Sequence, residues 1–327
     1  MEKVLVIGAG GQLGRELVAA LRSKYGQEQV IASDIKPWED SHLDAPYVKL
    51  NAMDEKALFE VVNSHEITEI YHLAAILSAK GEMDPLFAWD LNMKSLLNIL
   101  ELGKEHVKKV FWPSSIAVFG PDTPKDQTPQ HTLMNPTTVY GISKLAGERW
   151  CEYYHQHYGV DVRSLRYPGL IGYKTLPGGG TTDYAVDIYY KAVQQEKFDC
   201  FLSENMKLPM MYMDDAVKAT LDLMMADAEK LSVRSSYNIN AISFSPREIY
   251  ESIRKHYSNF EVSYTPDYRE KIADSWPNSI DDTVARTDWG WKPAFDLEEM
   301  SDEIIWHLTD MLESVKSSNE MQRNSDS

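Results

Sequence analysis

Cysteine and basic residues are scarce in this sequence. Only two cysteines, Cys151 and Cys200, occur among its 327 residues, which excludes a disulfide-stapled secreted scaffold and indicates a reducing compartment, the cytoplasm. The 33 lysines and arginines stand against 50 aspartates and glutamates, so the formal net charge is −17. An anionic chain repels phosphate backbones and anionic lipid headgroups. We therefore expect no nucleic-acid partner and no membrane partner.

Long apolar segments and clusters of metal ligands are missing as well. No apolar run approaches the roughly 20 residues that a membrane-spanning helix needs. The apolar segment at 4–7 is too short for a secretory signal. The nine histidines show no spacing typical of metal ligands. We therefore expect a globular protein without a bound metal.

Strand and helix patterns alternate along the first half of the chain. The predicted strands are 4–7, 30–33, 47–50, 69–73, 109–112 and 162–167, and the predicted helices are 12–24, 55–64, 87–106 and 139–158. This alternation predicts an α/β fold with a doubly wound parallel sheet of the Rossmann type. Residues 1–171 would form this domain, joined by some later segments. Residues 172–315 would form a smaller lobe that caps the substrate site, and 316–327 a disordered tail.

Glycines at the first strand-to-helix turn predict a dinucleotide site. Gly8, Gly11 and Gly14 end the first strand and open the first helix, where small residues let the backbone approach a pyrophosphate at the helix N-terminus. Asp34 ends the second strand, twenty residues after Gly14. A carboxylate there accepts hydrogen bonds from both ribose hydroxyls and repels a 2′-phosphate. We therefore predict NAD as the cofactor, in preference to NADP.

Further cofactor contacts are expected where neighbouring strands end. Asn51 follows the third strand, where its amide either bonds adenine or completes a turn; the pattern favours neither. The other expected contacts are Gln12, Leu13, Ile35, Leu73, Ala74, Ala75, Tyr140, Lys144 and Tyr167.

A tyrosine and a lysine supply candidate acid–base chemistry. Tyr140 and Lys144 lie four residues apart and therefore share one face of a helix. An ammonium near a phenol favours the phenolate, which lowers the pKa of the phenol towards the range of a usable base. Asn92 and a serine at 114 or 115 precede this pair and complete a candidate tetrad.

Several segments together resemble the extended short-chain dehydrogenase/reductase family, across roughly residues 1–312. The matching segments are 8–14, 72–75, 90–92, 113–120, 140–144, 166–169 and 289–293. The resemblance implies that Tyr140 is the general base and that Lys144 holds the nicotinamide ribose and lowers the pKa of Tyr140. It implies that Ser115 orients the substrate oxygen and that Asn92 supports a helix kink and a water relay. Ser114 would be a neighbouring contact.

The resemblance also implies a homodimer. Two helices, at about 90–106 and 139–158, would pair with their copies across a two-fold axis and form a four-helix interface. The apolar residues assigned to the first of these surfaces are Leu91, Leu96, Leu97, Leu100 and Val107. Packing of these residues within the chain's own core is the alternative.

One missing arginine and one glycine-rich loop bear on the substrate. Family members that act on nucleotide sugars carry an arginine that pairs with the diphosphate, and Leu208 stands at that place. The chain instead resembles the short-chain-type L-threonine 3-dehydrogenases in the segments 77–79, 111–115, 167–172, 178–185 and 274–277, which implies L-threonine as substrate. Glycine amides with the hydroxyls of Thr181 and Thr182 could bind a small carboxylate and amine. The expected substrate contacts are Ser78, Ser114, Ser115, Tyr140, Gly179, Thr181, Thr182 and Trp276.

Two other function classes stay open at this point. A nucleotide-sugar epimerase or dehydratase would use the same scaffold, and a dinucleotide-sensing regulator would keep the fold without the chemistry. The retained Tyr140 and Lys144 speak against the regulator. Trp276 closes over the site as part of a lid or, as is usual for a lone tryptophan, packs in a core.

Overall fold

The computed structural model describes residues 2–41, 43–176 and 180–325. In chain order the strands are β1 (Val4–Ile7), β2 (Val30–Asp34), β3 (Tyr47–Lys49), β4 (Glu69–His72), β5 (Lys109–Ser115), β6 (Val162–Tyr167), β7 (Gly169–Ile171), β8 (Phe198–Cys200), β9 (Leu208–Tyr212), β10 (Tyr237–Asn238), β11 (Ile242–Phe244) and β12 (Val262–Tyr264). The α-helices are α1 (Gln12–Tyr25), α2 (Trp38–Ser41), α3 (Glu55–Ser64), α4 (Ser78–Gly81), α5 (Pro85–Leu102), α6 (Val139–Tyr158), α7 (Tyr184–Val193), α8 (Met213–Met225), α9 (Pro246–Arg254), α10 (Tyr268–Ala273), α11 (Thr283–Trp289) and α12 (Leu297–Ser325).

A parallel sheet with the order β10-β6-β5-β4-β1-β2-β3 organises the larger part of the molecule. Its apolar strand residues alternate between two cores. Val4 and Val6 pack with α1 and α8 on one face, and Leu5 and Ile7 pack with α3, α5 and α6 on the other. Helices cover both faces, so the central strands carry apolar residues on both sides. This arrangement confirms the predicted doubly wound Rossmann fold.

The later part of the chain is divided between this sheet and a smaller lobe. Strand β10 and helices α8 and α11 return to the main sheet and its core. The lobe contains a three-stranded sheet, β11-β9-β7, and the pair β12-β8. Its core is built from α7, α9 and the first part of α12. Among the described residues, no helix combines the length and apolar character needed to cross a membrane.

Strand β5 is longer than the sequence pattern predicts. Its pairing with β4 ends at Phe111, whereas its pairing with β6 continues to Ser115. Pro113 therefore lies where β5 pairs with β6 only. Its missing amide proton costs no hydrogen bond to β4 there. As a result Ser114 and Ser115 belong to the strand, and their side chains point to opposite faces.

The end of the chain and the predicted dimer surface also differ from expectation. Helix α12 continues to Ser325, although 316–327 was predicted to be a disordered tail; no glycine or proline interrupts residues 297–325. Leu96, Leu100 and Val107 are buried in the chain's own core, so they face inwards and not towards a partner. The apolar residues exposed on α5 and α6 are Leu86, Phe87, Trp89, Ile142, Trp150, Tyr153 and Tyr158.

Candidate active site

The glycine turn between β1 and α1 is closely packed. Gly8 has a φ of +82°, and a Cβ there would lie 2.7 Å from the backbone nitrogen of Ala74. A Cβ on Gly14 would lie 2.4 Å from the carbonyl oxygen of Gly8. Only glycine permits this approach of the turn, the helix and the segment after β4. Leu73 and Ala74 thereby border the turn.

The start of α1 offers a place for an anion. Helix α1 begins at Gln12, and its N-cap residue Gly11 makes no side-chain capping bond. The amides of Gln12 and Leu13 stand at the positive end of the helix dipole, which suits a pyrophosphate. The residues present therefore fit the dinucleotide that the sequence predicts.

Asp34 connects the end of β2 to this turn. Its Oδ2 accepts a hydrogen bond from the amide of Gly10 at 3.0 Å, and its Oδ1 accepts one from the amide of Lys36 at 3.4 Å. The carboxylate is partly exposed and Ile35 beside it is exposed. Asp34 thus fixes the glycine turn while keeping an accessible edge, a second role that the sequence pattern did not indicate.

Two other predicted cofactor contacts have side chains occupied elsewhere. The Oδ1 of Asn51 accepts from the amide of Met53 at 3.0 Å, which supports the turn interpretation for this residue. The hydroxyl of Tyr167 bonds Thr220 in α8, and its ring packs in the core. A contact from Tyr167 to the cofactor would therefore have to come from its backbone. Ala75 is partly exposed beside the turn.

Tyr140 and Lys144 lie one turn apart on α6. The Nζ of Lys144 is 5.5 Å from the Tyr140 ring centroid and 4.4 Å from that of Trp112, and it donates to the carbonyl oxygen of Pro113 at 2.5 Å. Burial lowers the pKa of Lys144 to about 7. Burial raises the pKa of Tyr140 to about 12, against a hydrogen bond with Ser115 that lowers it. The Ser115 hydroxyl therefore favours the phenolate, a contribution that the sequence pattern did not indicate.

The structure separates the two serines. The Ser115 side chain lies close enough to Tyr140 to lower the pKa of its phenol, and its hydroxyl accepts from the amide of Ala117 at 3.2 Å. Ser114 points away, buried, and donates to Oε1 of Glu148 at 2.7 Å. The predicted contact of Ser114 with substrate is therefore wrong, because neighbouring residues of a strand face opposite sides.

A buried ion pair, which the sequence did not reveal, lies behind Ser114. Arg166 donates to both carboxylate oxygens of Glu148, from Nε at 2.9 Å and from Nη2 at 2.8 Å. Its Nη1 donates to Oδ1 of Asn238 at 2.9 Å. The pair joins α6, β6 and β10 one turn beyond Lys144. In the sequence, the one hint that Glu148 is buried near the site is its position four residues after Lys144, on the same face of the helix.

Asn92 connects α5 to the segment that follows β4. Its Oδ1 accepts from the amide of Ile76 at 2.8 Å, and its Nδ2 donates to the carbonyl oxygen of Ile76 at 3.1 Å. The Nδ2 also donates to Oγ of Ser143 at 3.1 Å, and Ser143 donates to the carbonyl oxygen of Tyr140 at 2.7 Å. Asn92 thus holds a loop and the Tyr140 helix together.

The segment after residue 180 carries a hydroxyl without a partner. Thr181 is 2% exposed, and its Oγ1 finds no hydrogen-bond partner within the described part of the chain. Thr182 turns its methyl group to Gly169, where a Cβ would lie 2.8 Å from it. Gly169 is two residues beyond Tyr167, which pairs with Ser115, so this segment lies at the same edge of the sheet. Gly179 lies outside the described residues.

The remaining predicted contacts are divided between loop and core. Ser78 is buried and opens α4. Trp276 is 6% exposed and packs in the lobe core, which supports the packing interpretation over a lid. Leu208 is also buried in that core, without a cation in its place. In the described ranges, no group of three or more His, Cys, Asp or Glu side chains is placed to hold a metal ion.

The chain is similar to known proteins over nearly its whole length. A partial consensus L-threonine 3-dehydrogenase is 57% identical with a TM-score of 0.92, covering 94% of this chain and 99% of that one. A monomeric L-threonine 3-dehydrogenase from a metagenome is 49% identical with a TM-score of 0.91, covering 94% and 99%. An uncharacterised epimerase/dehydratase of Staphylococcus saprophyticus is 47% identical over 304 residues, 92% of this chain and 95% of that protein. The family model for NAD dependent epimerases and dehydratases matches residues 4–240. The chain belongs to the NAD dependent epimerase/dehydratase family.

Proposed function

We propose that this enzyme is an NAD-dependent L-threonine 3-dehydrogenase, which oxidises the β-hydroxyl of threonine to give 2-amino-3-oxobutyrate. The observation that carries the proposal is the buried, unpartnered hydroxyl of Thr181, in the segment that lies at the same end of the sheet as Ser115. Such a hydroxyl is costly unless a polar ligand meets it. The similarity to proteins named L-threonine 3-dehydrogenases over nearly the whole chain supports the same substrate.

Each residue of the site has a defined task in this reaction. Tyr140 takes the proton of the β-hydroxyl, and Ser115 holds that oxygen as its negative charge develops. Lys144, whose Nζ lies 5.5 Å from the centre of the Tyr140 ring, would bind the nicotinamide ribose. NAD, when bound, supplies the acceptor for the hydride that leaves the β-carbon. Threonine thus loses one proton and one hydride and becomes the ketone.

The cofactor preference depends on Asp34. Its carboxylate lies at the end of β2 beside the glycine turn, where it would accept from ribose hydroxyls and repel a 2′-phosphate. We therefore propose NAD over NADP. The cytoplasmic location expected from the low cysteine content belongs to the same proposal.

A homodimer is also part of the proposal. Helices α5 and α6 pack side by side and expose several apolar side chains, among them Phe87, Trp89, Trp150 and Tyr153. Such a surface suits an isologous four-helix contact. Light scattering at micromolar concentration tests it, and a monomer there would refute the dimer.

A simple assay tests the substrate. The purified protein with L-threonine and NAD should produce NADH, whereas UDP-sugars should neither bind nor react, since Leu208 offers no cation for a diphosphate. Tight UDP binding without threonine oxidation would instead favour the nucleotide-sugar epimerase or dehydratase. Cofactor binding without either activity would favour a dinucleotide-sensing regulator.

A further inference from the structure

The segment between β4 and α5 is attached to the Tyr140 helix at both of its ends. At its start, the backbone of Ile76 is bound by Asn92, which also bonds Ser143 of α6. At its far end, Oε1 of Glu82 accepts a hydrogen bond from the amide of Val139, the first residue of α6, at 2.8 Å. Ser78, a proposed substrate contact, lies between these two attachments.

Glu82 acts on the first turn of the helix that carries Tyr140. The side chain of the N-cap residue Thr138 accepts from the amide of Gly141 at 3.1 Å. The amide of Val139 donates to Glu82 instead. A Cβ on Gly81 would approach Cγ1 of Val139 to 3.1 Å, which shows how closely the segment lies against the helix start. A carboxylate at a helix N-terminus is favourable in charge as well as in geometry.

We propose that Glu82 is a positioning residue that fixes the distance between the Ser78 segment and the hydroxyl of Tyr140. This inference rests on the proposed function. A substrate bound through the Ser78 segment presents its β-hydroxyl to Tyr140 only if the segment and the helix keep one spacing. Loss of the Glu82 contact frees the far end of the segment while Asn92 still holds its start.

The hydrogen bond from the amide of Val139 to Glu82, which we call the clamp, should matter more for turnover than for stability. Helix α6 has 20 residues and packs against β5, β6 and α5, so a single exposed cap contributes little to its folding. A displacement of about 1 Å between reacting groups, in contrast, costs up to about a hundredfold in rate. The expected signature is therefore a fall in kcat with an intact fold and an unchanged KM for NAD.

Three variants test the clamp. Glu82→Ala removes the acceptor, and we expect kcat with threonine to fall about ten- to a hundredfold. Glu82→Gln keeps an acceptor oxygen and should restore most of this loss. Asp84→Ala is the matched control, because Asp84 is exposed and caps the neighbouring helix α5 by accepting from the amide of Phe87 at 3.2 Å; it should leave kcat within about twofold of wild type.

Amide hydrogen exchange supplies a second readout. Exchange at Val139 and Tyr140 should accelerate in Glu82→Ala and stay at the wild-type rate in Glu82→Gln and Asp84→Ala. Should Glu82→Ala fail to fold, Glu82→Asp, with a shorter reach, takes its place with the same expectations. Wild-type kcat and exchange in the folded variant, or an equal loss in Asp84→Ala, would overturn the inference. A wild-type enzyme that does not oxidise threonine would instead overturn the proposed function, and the role of Glu82 with it.

Discussion

The two sides of the active site are held by contacts of different range. On the cofactor side, Asp34 binds the amide of Gly10 within one βαβ unit, through a separation of 24 residues. On the substrate side, Glu82 binds the amide of Val139 across 57 residues, and Asn92 binds Ser143 across 51. The cofactor side depends on backbone geometry in a short motif, whereas the substrate side depends on side chains that tertiary packing brings together.

This difference predicts how far the effect of a substitution should extend through the molecule. A change on the cofactor side should alter cofactor affinity and leave threonine binding and the fold nearly intact. A change on the substrate side should affect several elements at once, because each side chain there joins helices, strands and loops. The following substitutions run from the largest expected effect to the smallest.

Tyr140→Phe should have the largest effect. It keeps the ring in the α6 site and removes the oxygen that takes the substrate proton, so kcat should fall by roughly two to four orders of magnitude, the range for general acid–base catalysis. Circular dichroism and NAD binding should match wild type. A loss of less than about tenfold would assign the base to another group.

Glu148→Ala should have the largest effect on stability. It leaves the buried guanidinium of Arg166 without its carboxylate, and breaking a buried pair costs roughly 3–5 kcal/mol in the free energy of unfolding. The matched control Ser114→Ala removes one hydrogen bond to the same carboxylate and should cost about 1 kcal/mol. Urea titration measures the free energy of unfolding of both variants. An equal loss in the two would show that the Glu148–Arg166 ion pair adds no more stability than the Ser114 hydrogen bond.

Asp34→Ala should weaken NAD binding about ten- to a hundredfold, since it removes a charge-assisted hydrogen bond worth roughly 1.5–3 kcal/mol. Discrimination against NADP should relax, and the KM for threonine should stay near the wild-type value. Steady-state kinetics with both cofactors measure this. A wild-type preference for NADP would contradict the role given to Asp34.

Thr181→Ala should raise the KM for threonine and lower kcat/KM about tenfold, because its buried hydroxyl has no partner in the described part of the chain and is available to a ligand. Thr182→Ala is the matched control; its methyl group packs against Gly169, so its effect should be smaller. Wild-type kinetics in both single variants and in the double variant would remove the loop from the substrate site.

Ser115→Ala, which also removes the group that holds the substrate oxygen, should be distinguished by a shift of its pH profile. Burial raises the pKa of Tyr140 to about 12 and the Ser115 hydrogen bond lowers it, so loss of that bond raises the pKa further. Because the base must be deprotonated, kcat/KM should rise with pH, and the rising limb should move to higher pH in the variant. An unchanged limb would mean that Ser115 does not set this pKa.

The sequence predicted the cofactor side better than the substrate side, for physical reasons. Strand and helix periodicity and the spacing of Gly8, Gly14 and Asp34 are local signals, and the structure places these residues as expected. The resemblance gave the orienting role to Ser115, but Ser114 was kept as a substrate contact because the continuation of β5 through Pro113 was not predicted. The Glu148–Arg166 pair depends on the register of β5 with β6, which no single segment encodes.

The central claim is that the hydride comes from the β-carbon of threonine while Tyr140 takes the hydroxyl proton. L-threonine carrying deuterium at the β-carbon tests it most directly, with L-threonine deuterated at the α-carbon as control. We predict that deuterium appears in the reduced cofactor from the β-labelled substrate alone, and that NADH formation from this substrate is slower. Deuterium transfer from the α-labelled substrate, or no NADH from threonine at all, would contradict the account.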